Sequence, residues 1–308
     1  MNVLVTVITL AYNSEYLRDT IDSVLSQTYS RIQYIVVDDG SVSFSAENVH
    51  AYIQSKKRNN IEEYIVYQNP TNLGTVKSYN RALEKAKGEY IFNLAADDVF
   101  YDERVLKEWV QEFIQRGSGI MTAYRAVYDK ELKRCREVLP AKSHVAILQQ
   151  KSAKEQFEEL AVSNFVFGCC TARSRENIKQ YGKCSEEYRL IDDYPVNLVL
   201  TRSGECIDFW NRIVIKYRLG GVSSPENFNG VYEKDSDLIL KKEIISYTRY
   251  PLRRWYQYHK WKYWHSGEGR IKYYQNKYKD NRKKRILVYM RYPLHALRAF
   301  KNRKRTKD

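Results

Sequence analysis

Three Asp-Asp pairs carry the chemistry that can be read from the chain: Asp38-Asp39, running into Gly40-Ser41; Asp97-Asp98; and Asp192-Asp193, just ahead of Pro195. A paired carboxylate that closes an apolar run suits a divalent cation taking oxygen ligands, Mn2+ or Mg2+, which would bridge the phosphates of a nucleotide. Each pair also has a plainer use. Asp-Gly-Ser is ordinary turn chemistry, which suits Asp38 in particular; Asp97-Asp98, through Asp98 above all, can cap the following helix, and so can an acid pair before Pro195. No Gly-x-x-x-x-Gly-Lys-Ser/Thr occurs, and the first strand-to-helix turn has no glycine. P-loop and dinucleotide-binding readings therefore fall, and phosphate charge must be met by other means.

The elements that must position these acids follow from hydrophobic periodicity. Residues 3–9 form a β-branched run, the mark of a strand covered on both faces. Asn13 or Ser14 is expected to cap a helix whose Leu17, Ile21, Val24 and Leu25 fall on one face. Strands at 34–37, 64–67, 90–94 and 120–128 alternate with helices around 49–53, 75–87 and 102–116, and further strands are expected at 164–173 and 206–217. This alternation predicts a doubly wound α/β fold, in which ligands sit beyond the carboxyl ends of the strands. Segments 10–13, 38–41, 69–74 and 97–98 all lie at such ends.

The blocks VTVITLAYNSEYLRDTIDSVLSQTYSRIQYIVVDDGS, NLGTVKSYNRALEKAKGEYIFNLAADD and LIDDYPVNLVL resemble the GT-A glycosyltransferases of family 2, over roughly residues 1–220. The resemblance implies a Rossmann-like, mostly parallel sheet binding a nucleotide sugar. It implies that the backbone at Leu10 and Ala11 and the ring of Tyr12 hold the base, and that Asp39 accepts the N3–H of a uracil or thymine. A carboxylate there would disfavour cytosine by about 1–3 kcal/mol, the cost of an unsatisfied group. Asn72 and Gly74 match an Asn-x-Gly before a helix that brings Lys77 near the diphosphate, although Tyr79-Asn80 stands where the family often has Arg-Asn. The family's Asp-x-Asp-Asp reads Ala95-Ala96-Asp97-Asp98, so the first, ribose-contacting acid is missing. Asp97 is then the metal ligand, for Mn2+ or Mg2+, with Asp98 beside it. Asp193 matches the general base of inverting members, Asp192 replaces the Glu before it, and Arg218 of Tyr217-Arg218 is implied to touch the leaving diphosphate.

Composition adds an appendage. The 308 residues carry a net charge of +15, but 22 Lys and Arg against four acids after residue 240 give that end +18 and leave −3 on the rest. The same end holds 14 of the 42 aromatic residues. We therefore expect a transferase domain at 1–235 and a basic, aromatic helical module at 236–308, with helices around 238–247, 252–265, 270–290 and 294–304. Trp255, Tyr258, Trp261, Lys262 and His265 recur at helical spacing, as on a helix lying at an anionic membrane surface. A cap over the core is the plainer reading of the same face, and no fingerprint supports nucleic-acid binding. No run reaches the ~18 apolar residues of a membrane span. The N-terminus lacks a secretory leader pattern, and the five cysteines match no zinc framework. The expectation is a cytoplasmic protein, peripheral on the inner face of the plasma membrane, with oligomeric state left open. Its function would be inverting transfer from a UDP-sugar to a glycan, lipid-linked, in cell-surface polysaccharide synthesis. The alternative is an adaptor that keeps an inactive transferase fold.

Overall fold

A computed structural model describes residues 3–220 and 230–265, and the side chains within these up to residue 259. The chain divides into two units, Met1–Arg249 and Tyr250–Asp308.

In the first unit, β1 (Val5–Ala11), β2 (Ile32–Asp38), β3 (Ile61–Gln68) and β4 (Tyr90–Ala95) are mutually parallel in the order β3-β2-β1-β4. Their apolar runs are buried on both faces: Val5, Val7, Tyr34, Val36 and Phe92 are essentially without solvent contact. Each such side chain contributes roughly 1.5–3 kcal/mol of burial. The linking helices are α1 (Leu17–Leu25), α2 (Ala46–Lys56) and α3 (Thr75–Lys85). α1 buries Ile21, Val24 and Leu25, the face its spacing predicts.

The sheet continues through β5 (Val99–Phe100), α4 (Val105–Arg116), β6 (Ile120–Tyr128) and β7 (Cys135–Leu139). Next come α5 (Lys142–Gln149), α6 (Ala153–Leu160), β8 (Thr171–Ser174), α7 (Arg175–Tyr181), α8 (Asp193–Arg202) and β9 (Asp208–Arg218). β8 inserts antiparallel between β4 and β6, β9 runs parallel to β6, and the short β5 pairs antiparallel with β9. Trp109 and Phe113 of α4 pack edge-on against Phe92, fixing this helix to the centre of the sheet. The predicted α/β architecture with a mostly parallel sheet is the one observed.

Three local expectations differ. Neither Asn13 nor Ser14 caps α1: Asn13 takes a left-handed φ of 50°, and the Ser14 hydroxyl donates to the Ala96 carbonyl at 2.5 Å. Asn13 instead donates its amide to the Ser41 hydroxyl after β2, and Ser14 ties the loop after β1 to the end of β4. The strand expected over 164–173 is reduced to β8, because Gly168–Cys170 form a tight 3-10 turn. The helix expected at 238–247 begins earlier, as α9 (Gly230–Ile239), and passes into a π-helical turn at Leu240–Ile245. Residues 236–249 belong to the first unit. In the second, α10 (Pro251–His265) exposes Leu252, Trp255 and Tyr256. The helices expected at 270–290 and 294–304 lie outside the described residues. No helix among the described residues is long and apolar enough to cross a membrane.

Candidate functional site

β1 sits between β2 and β4, where the chain reverses the direction in which it adds strands, and the parallel register aligns Ala11 with Asp38 and Leu10 with Ala95. The ends of these strands therefore form one rim, at the switch point where α/β sheets bind ligands. Asp38 turns inward to organise its loop: its carboxylate accepts from the Ser41 amide (2.7 Å), the Ser41 hydroxyl (2.6 Å) and Gln68 (2.9 Å). Asp39 faces the neighbouring β3–α3 loop. Its Oδ1 accepts from Asn69 Nδ2, the Leu73 amide and the Ser78 hydroxyl, and its Oδ2 from the Gly74 amide at 2.8 Å. Oδ2 thus carries one donor among these bonds, where a carboxylate oxygen has room for two. Tyr12, half exposed, lies on the same rim.

Gly74 opens α3 with φ at 88°, and a Cβ there would come within 2.6 Å of the Arg189 carbonyl oxygen. Only glycine allows this approach, which brings the loop before α8 against the start of α3. Arg189 completes the join, donating through Nη2 to the carbonyl and Oδ1 of Asn72. Lys77 is exposed on α3.

At the end of β4, Asp98 is fully buried: its Oδ1 accepts the Arg218 amide at 2.9 Å, while its Oδ2 has no hydrogen-bond partner. Burial first, and then the neighbouring Asp97 charge, push the Asp98 carboxyl well above the usual range, and burial also raises Asp97. Arg218 is 3 % exposed and wholly engaged with protein: Nε donates to the Asp97 carbonyl (2.8 Å), Nη2 to Asp19 (2.8 Å) and Nη1 to the Lys130 carbonyl, with the guanidinium stacked on Tyr16. It braces the acid turn from behind. No group of three or more His, Cys, Asp or Glu side chains that could hold a metal occurs among the described residues. A cation here would rest on Asp97 and Asp98 and draw its remaining oxygens from water and ligand, and the partnerless Asp98 Oδ2 fits that demand.

The third pair stands at the N-terminus of α8. Asp193 Oδ2 accepts the Gly168 amide at 2.8 Å, and Asn164 Nδ2 lies 3.3 Å from both carboxylate oxygens. A Cβ on residue 168 would meet Asp193 Cβ at 3.2 Å, so glycine lets the carboxylate seat this closely. Burial raises the Asp193 carboxyl; burial and then the Asp193 charge push Asp192 up to about 7.

Sequence reasoning missed what holds this pair in place. Asp235, on α9 and 4 % exposed, accepts the consecutive backbone amides of Arg189, Leu190 and Ile191 at 2.7–3.1 Å. Nothing local in Tyr232–Asp237 marks it. The same helix carries Tyr232, whose phenol is raised to about 12 by burial and then by the Asp193 charge.

An open α/β sheet with acid loops at its switch point and an acid pair heading a later helix defines a GT-A glycosyltransferase fold. The chain belongs to glycosyltransferase family 2: the model for "Glycosyl transferase family 2" matches residues 6–182, more than half of it. An uncharacterized glycosyltransferase of Haemophilus influenzae is 25% identical over 259 residues, 79% of this chain and 74% of its own length. Another from that organism is 37% identical over 106 residues, and the putative teichuronic acid biosynthesis glycosyltransferase TuaG of Bacillus subtilis is 34% identical over 106. These two matches cover 34% of this chain and 40% of either relative. Among solved structures, residues 1–349 of Staphylococcus aureus TarS in complex with UDP-GlcNAc superpose with a TM-score of 0.58 at 17% identity, covering 82% of this chain and 69% of that one. The mannosyltransferase PcManGT of Pyrobaculum calidifontis, in complex with GDP-Man and Mn2+, gives 0.55 at 16% identity, covering 73% and 60%.

Proposed function

We propose that the protein is an inverting, metal-dependent hexosyl- or hexosaminyltransferase that takes its sugar from a UDP-sugar and passes it to a glycan hydroxyl in cell-surface polysaccharide synthesis. The observation that carries this reading is the gathering of Asp39 and Asp97-Asp98 on one rim of the sheet, with Asp193 anchored separately by Gly168. TarS bound to UDP-GlcNAc and TuaG's assignment to teichuronic acid biosynthesis support the donor and pathway class.

The free lone pair on Asp39 Oδ2 suits a uracil N3–H, with Tyr12 and the backbone at Leu10 and Ala11 against the ring. Asp97, with Asp98, would hold Mn2+ or Mg2+, which supplies neutralisation of the departing diphosphate. Asp193 accepts the proton of the acceptor hydroxyl as that oxygen bonds to the anomeric carbon. The bond from that carbon to the diphosphate oxygen breaks with its electron pair on UDP, and configuration inverts. A buried carboxylate with a raised pKa is a stronger base than one in water, which suits this step near neutral pH. Asn72 and Lys77 are assigned to the diphosphate side of the rim, and Arg218 to holding the Asp97-Asp98 turn.

Titration calorimetry with UDP, CDP and GDP, followed by a hydrolysis panel of UDP-sugars, tests the reading. UDP is expected to bind more tightly than CDP by about 5- to 150-fold, the equivalent of about 1–3 kcal/mol. Equal binding of all three nucleotides overturns the uridine assignment. UDP binding without hydrolysis of, or transfer from, any UDP-sugar favours the inactive adaptor.

The second unit carries a separate proposal. Exposed Leu252, Trp255 and Tyr256 on a helix of the basic segment would seat it on an anionic bilayer bearing a lipid-linked acceptor. The full chain should co-sediment with anionic but not zwitterionic liposomes, and release as salt shortens the screening length from about 10 Å at 0.1 M toward about 3 Å at 1 M. Sedimentation indifferent to lipid charge would refute this mechanism.

A further inference from the structure

We propose that Arg125 is a donor-specificity residue that receives an oxyanion of the bound nucleotide sugar, either a phosphate oxygen or a carboxylate on the sugar ring. This rests on the nucleotide-sugar reading above. The Arg125 guanidinium, on β6, is clamped between the ring of Phe167, 3.6 Å from its centroid, and that of Tyr217, at 4.1 Å. Its Nη1 has only the Cys169 thiol at 3.7 Å, and its Nε is buried with no hydrogen-bond partner. No carboxylate among the described residues forms an ion pair with it. Other arginines of the first unit, such as Arg212 and Arg202, are paired with acids. A desolvated cation left with two rings and a thiol keeps unspent donor capacity, and a planar fork of donors matches a bidentate oxyanion.

The clamp also fixes where that capacity is offered. Phe167 immediately precedes Gly168, whose amide holds Asp193, and Tyr217 immediately precedes Arg218, whose amide holds Asp98. Arg125 therefore stands between the acid turn of β4 and the acid pair of α8. A donor laid from Asp97 to Asp193 passes the guanidinium with its β-phosphate and sugar. Stacking alone would make Arg125 a spacer, with no effect on ligand charge.

Titration calorimetry of UDP, UDP-glucose and UDP-glucuronate, each with Mn2+, against wild type, Arg125→Gln and Arg125→Lys decides between these. If a phosphate is the ligand, Arg125→Gln loses about tenfold or more for all three nucleotides. If a sugar carboxylate is the ligand, wild type prefers UDP-glucuronate and Arg125→Gln loses that preference alone. Arg125→Lys should recover part of either loss, because it keeps the charge without the fork. Wild-type affinity for all three in a folded Arg125→Gln overturns the proposal. Should that variant fail to fold, Arg125→Lys is decisive: a loss of about threefold or more for the same nucleotides sustains the role, and no loss overturns it. A wild-type protein that binds none of the three overturns the nucleotide-sugar reading itself.

Discussion

Asp193→Asn should lower kcat by about 10²-fold or more while UDP affinity stays within about twofold. The amide is nearly isosteric and its oxygen can still accept the Gly168 amide, so the seat at the head of α8 survives. What is lost is the capacity to take a proton, which is needed only as the acceptor hydroxyl attacks. If Asp192→Asn produces the loss instead, the base is one residue earlier; if neither does, the assignment fails. The pH dependence gives a second reading. The rising limb of kcat/KM should lie above the ordinary carboxylate range, because burial holds the Asp193 carboxyl up. The two acids interact, so the limb belongs to the pair. Stability should move the opposite way. Burial and then the Asp193 charge push the Asp192 carboxyl up to about 7 in the folded protein, against 3.8 for an aspartate exposed to water in the unfolded chain, so between these values the folded state binds more protons than the unfolded one. Stability must then fall as pH rises across that window. Denaturant midpoints measured from pH 4 to 8 should show that decline in wild type and flatten in Asp192→Asn.

Asp97→Ala should abolish the advantage that Mn2+ gives UDP binding and lower kcat/KM by about 10²- to 10³-fold, the scale on which a leaving-group charge loses its counter-charge. A cation held at this turn would have so few protein ligands that each carboxylate would matter. UDP calorimetry with Mn2+ and with excess EDTA makes the comparison: the variant in metal should match wild type in chelator. Unchanged binding, or a wild type indifferent to EDTA, would end the metal role. The same substitution should raise the melting temperature of the metal-free protein, because Asp97 and Asp98 repel each other in a buried turn. A function-bearing site that costs stability behaves in this way.

How much of this was legible in the sequence depended on how local the cause was. The strands of the parallel half announce themselves because burial on both faces demands continuous apolar runs, and acids can enter only where those runs end. The turn built by Asp38 was also local, since Asp-x-x-Ser closes on itself, whereas the seat of Asp39 depends on donors from the distant β3–α3 loop. Arg218 was legible as a residue but not in its attachments: the partners that engage its guanidinium, Asp19, Asp97 and Lys130, come from distant parts of the chain. Arg125 gave no signal at all, because a lone arginine in an apolar strand acquires meaning only when Phe167 and Tyr217 close around it. The 3-10 turn at Gly168–Cys170 was hidden by β-prone neighbours, and its purpose, an amide aimed at Asp193, is tertiary.

The grip of Asp235 on three successive amides sets where the chain can be cut. A chain trimmed before α9, ahead of residue 230, would leave the peptide groups of Arg189, Leu190 and Ile191 without their acceptor and release the acid pair that follows them. Loss of activity in such a truncation would say nothing about membranes. The cut that isolates the tail's contribution falls after Arg249, where the first unit closes. Residues 230–249 are therefore a back wall for the acid pair of α8, reached by the chain only after it has finished building the sheet.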